Sequence, residues 1–203
     1  DLLFDFGFAR GVMPRACCAL GIAEGQVREI AVLSRVGKPT CFVVTDIDEE
    51  SEPPTVWLSR TAVQLRAQEA LLSSLSPGDI IPAAVTHLEP FGAFVDIGCG
   101  LPSLIGIENL SVSRIYHPSD RLTVGQSIRA AVRSVDAENR RITLTHRELL
   151  GTWEENAALF AAGETVRGIV RSVEPYGVFI ELAPNLSGLA ENREGLTPGT
   201  PVS

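Results

Sequence analysis

The chain of 203 residues is 45% hydrophobic and 21% charged, apolar enough for globular cores and too apolar for a disordered tail. Its 17 Lys and Arg against 25 Asp and Glu leave a formal net charge of -8, the wrong sign for attachment to nucleic acid by bulk electrostatics. No apolar run approaches the ~20 residues of a membrane-spanning helix, and Asp1 to Arg10 lack the basic start and long apolar centre of a secretory signal.

The sequence therefore predicts a cytoplasmic protein with no membrane partner. Cys17, Cys18, Cys41 and Cys99 follow no CxxC spacing, and adjacent Cys17 and Cys18 are poorly placed to pair, so they read as reduced and structural.

In chain order, the first stretch is the least regular. LLFDFG (Leu2 to Gly7), GVMP (Gly11 to Pro14) and GKPTCFVVTDID (Gly37 to Asp48) read as a weaker copy of segments that recur in the middle of the chain. Thr61 to Leu75 has helical spacing, with Leu65, Leu72 and Leu75 able to share a face, and stops at Pro77 and Gly78.

The middle is clearer. Asp79 to Leu88, Phe91 to Ile97, Leu104 to Ile107, Ser127 to Asp136 and Arg141 to Thr145 read as strands, with an irregular stretch from Ser111 to Gly125 and a polar turn at Ala137 to Asn139. Five short strands in about 70 residues fit a small closed barrel of the OB type. A second helical spacing follows from His146 to Ala162, on which Leu149, Leu150, Trp153, Ala157 and Phe160 can share a face. Each helix could pack on a neighbouring barrel or close its own.

The chain also repeats itself. Gly78, Val85, Phe91, Gly92, Phe94, Asp96 and Leu104 recur 85 positions later as Gly163, Val170, Tyr176, Gly177, Phe179, Glu181 and Leu189. Gly37 to Asp48 matches Gly125 to Asp136 at an offset of 88, while LLFDFG parallels AFVDIG (Ala93 to Gly98) and GVMP parallels SLIG (Ser103 to Gly106). Matches at a near-constant period mark duplicated units. The expected fold is all-β with linker helices, built of tandem OB-fold five-stranded barrels. The expected divisions are a degenerate partial barrel with a linker helix over 1–76, a complete barrel over 77–148, a linker helix over 149–162 and a copy truncated after its third strand over 163–203. Partial barrels would expose unpaired strand edges, so the sequence also predicts a piece of a longer protein.

From Pro77 to Glu148 the order of GDIIPAAVTHLEPFGAFVDIG, LIGIENLS and VGQSIRAAVRSVDAENRRITLTHRE resembles the S1 RNA-binding domain, the module repeated in the S1 protein of the small ribosomal subunit. GIVRSVEPYGVFIEL near the end resembles the start of another copy. The resemblance implies two aromatics on the second strand that stack on bases, a supporting histidine on the third, and an Asp and an Arg at the last hairpin. Carried over, these are Phe91, Phe94, Asp136 and Arg141 in the middle copy, and Tyr176 and Phe179 in the last. Gly106, Ala190 and Pro14 stand where the histidine would be, and Leu3 replaces the second aromatic of the first copy. His87 and Arg171, read as corresponding positions of two first strands, join Arg133 and Arg140 as further basic candidates.

The physical logic of such a patch is independent of the family. A flat ring presents a face on which any base can stack, worth roughly 1 to 3 kcal/mol per base, and an arginine offers a fork for phosphate or a plane for stacking. By default a Phe of a small barrel is core, and Asp136 organises its hairpin.

Other signals lead nowhere. Asp46, Asp48, Glu49, Glu50 and Glu52 begin like a calcium loop, but Ser51 replaces its glycine and Pro53 and Pro54 follow; a solvated hairpin tip is expected. Gly98, Cys99 and Gly100 start a dinucleotide fingerprint that Ser103 ends. His87, His117 and His146 have no metal-ligand spacing. No cofactor, metal or catalytic residue is expected. The function expected is single-stranded RNA binding, with mRNA and the ribosome as partners. The alternatives are a protein-docking module of degenerate barrels and the RNA-binding arm of a processing enzyme.

Overall fold

A computed structural model describes residues 1–25, 27 and 30–203. It divides into two compact units, Asp1–Ser74 with Gly98–Leu101, and Leu75–Ile97 with Pro102–Ser203.

In the first unit, strands β1 (Leu2–Asp5), β2 (Arg10–Met13), β3 (Val43–Asp48) and β4 (Thr55–Ser59) form one sheet in the order β1-β2-β4-β3. The β2–β4 pairing is parallel and the other two are antiparallel. Strand alternation sends Leu2, Met13 and Leu58 inward, where Cys18, Ile22 and Val32 of the intervening segment and of helix α1 (Ile30–Leu33) complete the core. Burial pushes the Cys18 thiol above its ordinary pKa. The acidic run is the tip of the β3–β4 hairpin, as its composition suggested, with Asp48 paired to Thr55.

Helix α2 (Arg60–Ser74) matches the helical spacing, yet its buried positions are Arg60 and Gln64 rather than leucines. The reason lies in the backbone of the segment it covers. The Arg60 guanidinium donates to the Cys18 carbonyl, and the Gln64 side-chain carbonyl accepts from the Leu20 amide, so polar side chains satisfy groups that belong to no strand or helix.

In the second unit, β5 (Ile80–Glu89), β6 (Gly92–Asp96), β7 (Pro102–Gly106), β8 (Ser127–Asp136) and β9 (Arg141–Thr145) close a barrel in the order β5-β6-β7-β9-β8. Val85, Val95, Ile105, Val132 and Leu144 fill its interior. Closure occurs between parallel β7 and β9, where the buried Ser103 hydroxyl donates to the Ile142 carbonyl at 2.7 Å. The first unit repeats the β6-β7-β9-β8 portion of this order.

Beyond the barrel, β10 (Gly168–Glu174), β11 (Gly177–Ala183), β12 (Leu186–Ala190) and β13 (Pro201–Val202) form an open sheet in the order β12-β11-β10-β13. It repeats β7-β6-β5-β8. Ala83 faces Ile128 and Ala84 faces Ser127 in the barrel, and Gly168 faces Val202 and Ile169 faces Pro201 here. The expected truncation after three strands is therefore corrected by two residues of a fourth.

The continuous helix expected over 146–162 does not form. Arg147–Leu150 make a single 3-10 turn that stops at Gly151, whose φ of 82° is left-handed. Thr152 then caps a new short helix, α3 (Trp153–Ala157), through a reciprocal bond with Glu155.

Candidate nucleic-acid interface

The register of the barrel lines up one transverse row on its outer wall. His87 faces Phe94, Phe94 faces Leu104, Leu104 faces Thr143, and Thr143 faces Ser134. Thr143 and Ser134 share a hydroxyl hydrogen bond of 2.6 Å. Phe91 joins the row from the β5–β6 turn, its ring 6.0 Å from Phe94 at an interplanar angle of 87°, and His87 flanks Phe94 at 6.4 Å. Phe91 is 56% exposed. It is thus not a core residue, whereas Phe94 is half-buried beneath it.

Gly92 makes this placement possible. A Cβ there would lie 2.5 Å from the Ile105 carbonyl oxygen, so the β6 backbone presses against β7 and the chain carrying Phe91 stays close to the wall.

The charged candidates are less united. Asp136 faces Arg141 across the β8–β9 hairpin, two residues along from Ser134 and Thr143 and so on the same wall. In register they lie on the opposite side of the row from Phe91. Asp136 accepts from the Asn139 amide and side chain at 2.9 and 2.8 Å, and these bonds hold its carboxyl below the usual carboxylate range. Arg140, with φ of 52°, is an exposed residue of the hairpin turn. His87 is hydrogen-bonded to Glu89 at 2.6 Å.

Arg133 occupies the β8 bulge, between Val132 and Ser134, and lies 3.7 Å from Glu108. Glu108 is a neighbour that the spacing of the sequence did not reveal. Its carboxylate fills the space beside Gly106, where a Cβ would come within 2.4 Å of it. The position expected to hold a histidine is thus bordered by a negative charge.

The last repeat reproduces the aromatic part. Ser172 faces Phe179 and Phe179 faces Leu189, the Tyr176 ring meets Phe179 at 6.3 Å and 88°, and Tyr176 is 71% exposed. Two expected correspondences change. The register bulges between Val85 and His87 and between Val170 and Ser172 coincide, so Arg171 matches Thr86, and Ser172 matches His87. Ala190, which faces Val178, matches Ile105, which faces Ala93; Glu191 is the counterpart of Gly106.

A bulge turns its extra residue off the alternating pattern. Arg171 is accordingly aimed at Glu181, with Nε 2.7 Å from Oε2, and is mostly buried. The structure thus places Arg171 in an ion pair rather than beside the Tyr176 ring. Among the described residues, no group of three His, Cys, Asp or Glu side chains is arranged to hold a metal ion, and no helix is long and apolar enough to cross a membrane.

Two copies thus carry, at one repeat position, an edge-to-face aromatic pair with one exposed ring and one half-buried ring. Residues 74–147 match the family model of the S1 RNA binding domain. The middle barrel is an S1 domain.

Relatives of the chain beyond this S1 domain carry the name of a ribosomal protein. The small ribosomal subunit protein bS1 of Staphylococcus aureus (strain COL) is 31% identical over 198 residues, covering 95% of this chain and 48% of that protein. The bS1 homolog of Bacillus subtilis (strain 168) is 35% identical over 158 residues, 75% of this chain and 41% of its own length. The bS1 of Leuconostoc lactis is 38% identical over 193 residues, 93% and 43% respectively. The chain thus spans less than half the length of these relatives.

Proposed function

We propose that the chain binds single-stranded RNA during translation, stacking bases on Phe91 and Phe94 of the S1 barrel and on Tyr176 and Phe179 of the last repeat, without chemistry of its own. The observation that carries this reading is the recurrence of one exposed aromatic geometry in two copies, in a chain whose relatives are named as proteins of the small ribosomal subunit. Its place of action would be the cytoplasm, with mRNA as ligand and the ribosome as partner. Arg141 and Arg140 supply positive charge at the hairpin side, and Asp136 orders that hairpin. With a net charge of -8, affinity rests on stacking and a few local contacts rather than on a basic field. Titration of a labelled oligouridylate at two salt concentrations tests this. Saturable binding that weakens with salt supports it, and absence of binding at low salt contradicts it.

The first unit favours a second reading for itself. Its matching row is Leu3, Val12, Trp57 and Asp46, with Leu3 72% exposed. The Asp46 carboxylate repels phosphate, and Leu3 replaces the second aromatic ring with an aliphatic side chain that offers no stacking plane, so this face suits a basic, partly apolar polypeptide better than RNA. Trp57→Ala should then leave oligouridylate affinity unchanged and weaken association with ribosomes; a loss of RNA affinity alone would assign the face to RNA.

A further inference from the structure

The S1 barrel and the last repeat meet along a polar seam. The irregular connection between β7 and β8 supplies Ser111, Ser113, Asp120 and Arg121. Glu181 on β11 is 7% exposed, and its Oε2 accepts from Arg121 of the barrel at 2.5 Å and from Arg171 of its own repeat at 2.7 Å. Arg171 also lies 3.8 Å from Asp120. Ser111 accepts from Arg121 and donates to the Pro184 carbonyl at 2.7 Å, and Ser113 and Ser187 share a hydroxyl bond of 3.0 Å.

The repeat shows how this seam is specified. Arg171 and Glu181 stand at the positions of Thr86 and Asp96 in the barrel, 85 residues earlier. In the barrel the bulge residue Thr86 donates to the Phe94 carbonyl. In the last repeat the corresponding bulge aims Arg171 at Glu181, so the copies differ at the pair that builds the seam. Two arginines and two carboxylates balance in charge, and their forked, directional bonds fix an orientation more than they add stability.

We infer that Glu181, clasped by Arg121 and Arg171, is a positioning residue that locks the two RNA-binding walls into one body, so that a strand bound at Phe91 meets Tyr176 at a fixed spacing. This rests on the RNA-binding reading. A fixed second site acts at high effective concentration and spares the orientational cost of capturing it.

The test uses the full chain and oligouridylates of increasing length. Wild-type affinity should rise in a step once the strand reaches both aromatic pairs, and Tyr176→Ala should remove the step. Glu181→Gln should weaken binding of long strands by roughly three- to tenfold and leave short ones unchanged. Arg121→Gln, which leaves the interior of the last repeat intact, should do the same and guards against a folding defect in the first variant. Independently of RNA, residual dipolar couplings should fit one alignment tensor for both bodies in the wild type and two in the variants. Separate tensors in the wild type, or both variants retaining one tensor and an unchanged step, overturn the inference. Loss of all RNA binding with a single wild-type tensor would instead overturn the RNA reading and leave the seam standing.

Discussion

The Phe91 ring meets Phe94 edge-on, with centroids 6.0 Å apart and planes 87° from parallel. A half-buried Phe94 thereby braces an exposed Phe91, which keeps open ring surface at little further cost in side-chain freedom. Edge-to-face pairs are worth about 0.5 to 1.5 kcal/mol beyond burial, enough to bias the orientation of Phe91 before any base arrives.

That arrangement depends on Gly92. Gly92→Ala sets a methyl 2.5 Å from the Ile105 carbonyl, a backbone atom that cannot swing aside, so β6 and β7 must separate. The expected destabilisation is about 1 to 3 kcal/mol, read from urea unfolding, together with weaker RNA binding. An unchanged unfolding midpoint would show that the strands adapt freely.

On the proposed RNA-binding reading, Glu108 opposes phosphate at Arg133. It lies 3.7 Å from Arg133 and fills the space beside Gly106. Glu108→Gln should raise RNA affinity by about two- to fivefold at low salt and steepen the salt dependence, because Arg133 becomes available to phosphate. Fluorescence anisotropy at several salt concentrations measures both. An unchanged affinity and slope would mean that Arg133 lies off the RNA path.

The β8–β9 hairpin has a pH signature. Asn139 holds the Asp136 carboxyl below its ordinary pKa. Its contribution to hairpin order is present above the unfolded carboxylate value, near pH ~3.9, and is lost only as pH falls through the lower folded value. Carboxyl NMR should place the Asp136 midpoint below that of an ordinary aspartate, and Asn139→Ala should raise it. Between pH 5 and 8 this group contributes no pH dependence to RNA binding.

Much of this was legible from residues alone, and the reasons are physical. Strand alternation and turn residues locate β8 and β9 to the residue, because Asp136 and Arg141 bracket a polar turn with a fixed pairing. The Phe91/Phe94 and Tyr176/Phe179 pairs were visible because two copies preserve one spacing.

What sequence spacing does not carry is a bulge. The 85-residue period already matches Arg171 to Thr86 rather than His87, but each is the bulge residue of its strand, and spacing alone does not tell that the bulge turns Arg171 toward Glu181. Long-range polar contacts were equally hidden. Arg121 and Glu181 are 60 residues apart and bond directly, and no local pattern marks either. The interrupted helix after His146 was readable in principle, since Gly151 and Thr152 form a stop and a cap, but the apolar spacing across them outweighed that signal.

The most direct test is equilibrium titration of a labelled oligouridylate with wild type, Phe91→Ala, Tyr176→Ala and the double variant, each checked for folding by circular dichroism. Loss of one stacked base should weaken binding by roughly 5- to 150-fold per ring, with the double variant weaker than either single one. Folded variants that bind as tightly as the wild type would contradict the claim that these two exposed rings receive nucleobases.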